Sequence, residues 1–308
     1  MKSISVFLLF LVSAIGLSAQ IHSEAFGKST DPAIIFLHGG PGYNAVNFER
    51  TTAKNLAESG FYVIVYDRRG EGRSGEEGAA YTFDQTFDDI NDLYQQYGIQ
   101  KASLIGHSFG GLVATLYAKK NRKKINSIIL VGAPVSLQET FKTIMRTSKK
   151  IYEEKGDSTN LKYIKMLEEM NPRSLQYSSY NFMHAMQNGF YSPEKPTDEA
   201  IGIYNAFKTD SVLMKYAGHS TFEAVKGFYL HEKYTSVELE ENLRKLVAKK
   251  LPIYGLYGKE DGLYSKAQVD ELKDIIGEGR LKYLENCSHN VFIDQQSIFI
   301  QSLEEWAK

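Results

Sequence analysis

One serine is fenced by glycines, Gly106-His107-Ser108-Phe109-Gly110, directly after an apolar run, Ala102-Ser103-Leu104-Ile105, and directly before a helical stretch from Gly111 to Lys120. A chain that passes from strand to helix within so few residues folds the serine into a sharp, strained turn, and its neighbours two residues away must be small to avoid a clash. Glycine at 106 and 110 meets that need. Such a turn lifts the hydroxyl above the C-terminal edge of a parallel sheet and aims the positive end of a helix at whatever the hydroxyl meets. The bare five-residue pattern arises by chance in on the order of one chain of this size in ten. The flanking strand and helix, and partners elsewhere, therefore carry the argument.

A serine hydroxyl is a weak nucleophile until a base takes its proton and a third group holds that base in one tautomer. Where a serine stands at this kind of turn, an acid and then a histidine follow it, each just beyond a strand. After Ile253-Tyr254-Gly255-Leu256-Tyr257 comes Gly258-Lys259-Glu260-Asp261-Gly262, and after Leu281-Lys282-Tyr283-Leu284-Glu285 comes Asn286-Cys287-Ser288-His289-Asn290. Asp261 and His289 fill the two places, with Glu260 as the alternative acid. His22, His38, His107, His184, His219 and His231 read as surface or packing residues, since none stands just beyond the final strand. Acyl transfer also needs N–H donors for an oxyanion. Phe109 offers one, and the loop His38-Gly39-Gly40-Pro41-Gly42 offers the other, with the Gly40 N–H favoured and a plain tight turn as the alternative.

Apolar runs rich in Ile, Val, Leu and Tyr, at 33–37, 61–66, 102–106, 127–132, 253–258 and 281–285, alternate with amphipathic stretches such as 46–59 and 87–97. That alternation predicts an α/β fold with a mostly parallel sheet flanked by helices. Residues 136–249 break it with long Lys/Glu-rich helical patterns, 137–154 and 238–250 among them, so the expected organisation is a core of 20–135 and 250–308 carrying a mostly helical insertion at 136–249. The formal net charge of -1 and the lack of a basic block give no reason to expect nucleic acid as a partner. Lys2, the apolar stretch Val6 to Leu17 and the small Ser18-Ala19 have the layout of a signal peptide cleaved after Ala19, which predicts a secreted or periplasmic protein with no membrane span in the mature chain. The histidines lack ligand spacing, Cys287 is the one cysteine and reads as a small buried residue, and Gly70, Gly72 and Gly75 lack the Lys-Ser/Thr end of a phosphate loop. No metal, cofactor or obligate protein partner is expected, and the substrate is a small molecule or short peptide.

Three stretches together, HGGPG at 38–42, Asp67-Arg68-Arg69-Gly70-Glu71-Gly72-Arg73-Ser74, and GHSFGG at 106–111, resemble the prolyl aminopeptidase (proline iminopeptidase) branch of the α/β-hydrolases. The resemblance implies the α/β-hydrolase fold, a helical cap over the site corresponding to 136–249, and release of an N-terminal residue from short peptides or hydrolysis of related small amides. Where that family commonly has Trp after the nucleophile, this chain has Phe109. Where it has Glu-Asn-His-Tyr-Phe in the cap, this chain has Gln187-Asn188-Gly189-Phe190-Tyr191, without the glutamate that would face a substrate ammonium. Glu194, Glu223 and Glu232 are the substitutes the cap offers as a substrate-binding acid, and each also fits an ordinary solvated charge. A carboxylesterase or lactonase that lost the amine site is the alternative within hydrolases. A non-catalytic receptor on the same fold is the alternative outside them. The family's leading hairpin is here expected to shrink to at most one strand.

Overall fold

A computed structural model describes residues 21–75 and 78–308. The expected leader and its cleavage point lie outside the described residues. Seven strands form one sheet in the order β1-β3-β2-β4-β5-β6-β7, with β1 Ser23–Phe26, β2 Ala33–Leu37, β3 Tyr62–Tyr66, β4 Ala102–His107, β5 Ile125–Val131, β6 Ile253–Gly258 and β7 Leu281–Leu284. Among the described residues all pairings are parallel except β1 on β3, so one antiparallel strand leads the parallel set.

The central strands are apolar along their whole length because both faces are covered. Ile35, Leu37, Ile64, Tyr66, Leu104 and Leu130 face one layer of helices, Phe83–Gln96, Phe109–Asn121, Glu240–Ala248 and Lys266–Ile276, which contribute Ile90, Leu112, Leu243 and Leu272. Ile34, Phe36, Val63, Val65, Ile105, Ile129 and Leu256 point the other way, onto Phe48, Leu56, Phe299 and Leu303. Phe36 stacks on Phe48 with ring centroids 3.8 Å apart. Fully burying one such side chain is worth about 1.5–3 kcal/mol.

Helices start and stop where local chemistry dictates. Thr82 accepts a hydrogen bond from the Gln85 N–H, so the crossover helix between β3 and β4 begins at Phe83, four residues before the expected start. Ser136 caps Leu137–Lys155 in the same way, and Gly156 at φ 65° ends it. The segment from 137 to 232 has helices as its regular elements, joined by turns: Leu137–Lys155, Ser158–Glu168, Leu175–Gln187, Asp198–Ala206, Ser211–Tyr216 and Phe222–Glu232. Its two ends meet in a bridge between Ser136 and Glu238. Helix Glu240–Ala248, expected inside the insertion, instead packs on Phe109–Asn121 and Lys266–Ile276 and belongs to the core. Its amphipathic pattern is the same for either location. Among the described residues no helix is long and apolar enough to cross a membrane.

Candidate active site

The parallel register sets the loops after β2, β4, β5, β6 and β7 side by side at one sheet edge, with Leu37 opposite Gly106 and His107 opposite Val131. Ser108 sits between β4 and the helix Phe109–Asn121 at φ 52°, ψ −123°, a backbone conformation costing on the order of 1–3 kcal/mol for a residue with a side chain. The surrounding glycines leave no room for anything larger. A Cβ on Gly110 would stand 1.9 Å from the Leu37 carbonyl oxygen, and one on Gly106 would stand 2.6 Å from the Gly111 Cα.

His289 and Asp261 lie beyond β7 and β6, and the His289 Nδ1 is 2.8 Å from Asp261 Oδ2, both side chains buried. A carboxylate accepts there, so Nδ1 carries the proton and Nε2 is left as the basic nitrogen. Gly132, at the end of β5, lets the pair approach: a Cβ there would be 3.2 Å from His289 Nδ1 and 3.3 Å from Asp261 Oδ2. Glu260 turns away and accepts the Glu194 N–H at 2.6 Å. His107 packs beside His289 with centroids 4.8 Å apart, and burial, followed by the His289 charge, holds it well below the usual imidazole range. His184 hydrogen-bonds Tyr152 at 2.9 Å inside the cap, while His219 and His231 are exposed.

Several groups at this centre carried no sequence signal as site residues. Tyr191 presents its ring edge-on to His289 at 5.1 Å. The Tyr264 hydroxyl donates to the Gly132 carbonyl at 2.8 Å and has Ser108 as a hydrogen-bonding neighbour; burial and the Asp261 charge push it well above the usual phenol range. Asp294 is fully buried and accepts from the Ser288 N–H at 2.8 Å and from the hydroxyl of Tyr204, a cap residue, at 2.7 Å. The cap also reaches the site through the Phe190 carbonyl, which accepts from Ser288 Oγ at 3.0 Å and Gly262 N–H at 3.2 Å.

The glycine-rich loop at 38–42 lies along the serine, where a Cβ on Gly39 would be 3.3 Å from Ser108 Cβ. Gly40 adopts φ +124° and Gly42 φ +91°, both in the region that favours glycine. Arg68, fully buried, donates to the carbonyls of His38 at 2.6 Å and Gly39 at 2.5 Å and pairs with Glu71 at 2.8 Å; Glu71 in turn accepts the Gly42 N–H at 2.8 Å. Phe109, the second expected oxyanion donor, rests its ring 5.1 Å from the Arg68 guanidinium carbon. Phe83, Phe228 and Tyr234 surround that ring at 6.1, 5.3 and 5.5 Å.

The three acids offered by the cap are not gathered at this centre. Glu194 and Glu223 are exposed. Glu232 is half-buried, and its carboxylate accepts the Phe83 N–H at 2.7 Å, so it satisfies an open end of the helix Phe83–Gln96. Gln187 and Asn188 are spent within the cap on Tyr152 and Ser148. Only the aromatic end of that stretch, Phe190-Tyr191, reaches the histidine.

Comparison with known proteins matches residues 32–296 to the family described as alpha/beta hydrolase fold. A proline iminopeptidase of Saccharolobus solfataricus is 25% identical over 299 residues, covering 91% of this chain and 86% of the relative. Among solved structures, a proline iminopeptidase-related protein of Thermus thermophilus superposes with a TM-score of 0.65 at 20% identity, over 94% of this chain and 95% of that one. An esterase of Exiguobacterium antarcticum superposes with a TM-score of 0.61 at 18% identity, over 93% and 95%.

Proposed function

Because the chain belongs to the α/β-hydrolase fold family, we propose that it is a serine hydrolase working through an acyl-enzyme, with Ser108 as nucleophile, His289 as general base and acid, and Asp261 as the group that orients it. The observation that carries this reading is the buried His289–Asp261 hydrogen bond at the same sheet edge as the strained Ser108 turn. Ser108 Oγ attacks a substrate carbonyl carbon as its proton passes to His289 Nε2, and the carbonyl oxygen becomes an oxyanion held by the N–H groups of Phe109 and Gly40. Collapse of that intermediate expels the amine or alcohol, which takes the proton from His289. Water then repeats the sequence on the acyl-enzyme, releasing acid and free Ser108. Each oxyanion donor is worth on the order of 10²–10³ in kcat.

For the substrate we propose a prolyl-aminopeptidase-like action on the N-terminal residue of short peptides, or on related small amides. The similarity to a proline iminopeptidase over most of both chains supports it. A carboxylesterase or lactonase acting on small acyl esters is the second reading, favoured by the positions of Glu194, Glu223 and Glu232: two are exposed and the third is engaged with a backbone N–H. Burying a substrate ammonium without a carboxylate partner is costly. Steady-state hydrolysis of proline, alanine and leucine arylamides beside aryl acetate and butyrate, with Ser108→Ala as control, separates the two. Ser108-dependent proline arylamide turnover establishes the peptidase; ester turnover alone moves the substrate to esters; no Ser108-dependent turnover of either refutes the hydrolase. Export with cleavage after Ala19 is part of the same proposal, resting on the composition of residues 2–19. A mature N-terminus at Gln20 is expected, and one at Met1 would refute it.

A further inference from the structure

We infer that Arg68, backed by Glu71, is a positioning residue for the oxyanion donors: its guanidinium fixes the backbone from His38 to Gly40 so that the Gly40 N–H is turned away from the protein interior and toward the reacting carbonyl oxygen. The inference rests on the hydrolase reading given above.

A trans peptide is planar, and its C=O and N–H point in opposite directions. The Gly39 carbonyl and the Gly40 N–H belong to one such unit, so whatever holds the first sets the direction of the second. Two donors hold it. Arg68 Nη2 lies 2.5 Å from the Gly39 oxygen. His38 Nδ1 lies 2.8 Å from the same oxygen, and because His38 Nε2 accepts the Arg68 backbone N–H at 3.0 Å, the imidazole proton must sit on Nδ1 and point at Gly39. Burial and the Arg68 charge hold His38 well below the usual imidazole range, which keeps this neutral tautomer in place. Arg68 Nη1 takes the preceding carbonyl, that of His38, at 2.6 Å. The loop's other end is fixed by Glu71, whose Oε2 accepts both the Gly42 N–H and Arg68 Nη2.

One planar fork thus grips two successive carbonyls and its counter-ion grips the N–H three residues beyond, so the segment around Gly40 cannot rotate without breaking charge-assisted bonds in a buried setting. The ring of Phe109 lies against the same guanidinium. Both donor residues therefore touch one side chain. Glycine at 40 leaves its own backbone free to turn, and without the clamp either orientation of its N–H would be available. An oxyanion hole stabilises charge only when its dipoles are fixed before the reaction.

Variants Arg68→Lys, Arg68→Met and Arg68→Met/Glu71→Met test this with whichever of the arylamides or aryl esters above shows Ser108-dependent turnover and with phenylboronic acid, which adds to a serine hydroxyl as a tetrahedral anion. Lysine keeps the charge opposite Glu71 but lacks the fork that spans two carbonyls. The double variant removes both buried charges, so that no unpaired carboxylate is left to unfold the chain. The expected result is a fall in kcat of roughly 10²–10³-fold for the methionine variants and at least about tenfold for lysine, with KM within about threefold and phenylboronate inhibition weakened in parallel with kcat. Unchanged kcat in a folded Arg68→Met/Glu71→Met protein overturns the inference. So does a loss carried by KM with phenylboronate affinity intact, because it would make the pair a structural tie alone. If the unaltered protein shows no Ser108-dependent turnover, the hydrolase reading fails and this inference with it; if it does, and the variants match it, only this inference fails.

Discussion

Replacing Asp294 by asparagine should remove a loss of stability that sets in as pH rises, in a window and by an amount that follow from its surroundings. The carboxyl is fully buried, and burial is the largest cause that pushes its pKa from the ordinary 3.8 up to about 6, against the opposing pull of the Tyr204 hydroxyl, the Ser288 N–H and the His289 charge. The Asp261 charge adds to the upward push. Between these two values the folded protein holds a proton that the unfolded chain has released. Stability from this group is therefore fully present below pH 3.8 and is lost as pH rises through about 6. Two units correspond to about 3 kcal/mol, or roughly 6 °C in Tm for a chain of this size. Asparagine offers its carbonyl oxygen to the Ser288 N–H and its amide to the Tyr204 oxygen, so both hydrogen bonds survive while the charge does not. Urea unfolding of both proteins from pH 3.5 to 7.5 should show the variant gaining on the parent by about 3 kcal/mol across that range, because titrating groups not coupled to Asp294 cancel in the difference. A difference that stays flat across the range would show that Asp294 does not change charge there, and would refute the reasoning.

Two further outcomes are expected. Asp261→Ala should lower kcat by on the order of 10⁴-fold, whereas Glu260→Ala, which loses a contact to the Glu194 N–H and none to His289, should leave kcat within about threefold; the reverse order in steady-state assays would move the orienting acid to 260. Glu232→Ala should cost about 1 kcal/mol of stability by uncapping the Phe83 N–H and leave KM for proline arylamide unchanged relative to N-acylated proline arylamide. A selective rise in KM for the free amine would make Glu232 the amine anchor.

What the sequence disclosed and what it hid divide along one physical line. Ser108, Asp261 and His289 each follow a short apolar strand, and a strand with the turn after it is a local pattern, so their placement in loops along one edge of a parallel sheet could be anticipated from order alone. Tyr191, Tyr264 and Asp294 reach the same centre through packing between the cap and the acid and histidine loops, and no local pattern marks which face of a helix or turn will be pressed there. Nor does a local pattern mark which surface Glu240–Ala248 covers, since the helix is amphipathic wherever it lies and here packs on Phe109–Asn121 and Lys266–Ile276.

The run Asp67-Arg68-Arg69-Gly70-Glu71-Gly72-Arg73-Ser74 is the instructive intermediate, because its residues were legible as a family signature while their physical work was not. The loop at 38–45 leaves the sheet mostly buried, with Gly40 exposed and Tyr43 half-buried, so the backbone groups that no neighbouring strand or water reaches must find other partners. Asp67 takes the Ala45 N–H at 2.8 Å, Glu71 the Gly42 N–H at 2.8 Å, and Arg68 the carbonyls of His38 and Gly39. Arg73 then closes the circuit by pairing with both Asp67 and Glu49. Gly72 has to be a glycine because a Cβ there would stand 2.6 Å from the Asp67 carboxylate. Charged side chains grouped in one turn thus supply the partners that a loop leaving the sheet no longer finds in a neighbouring strand.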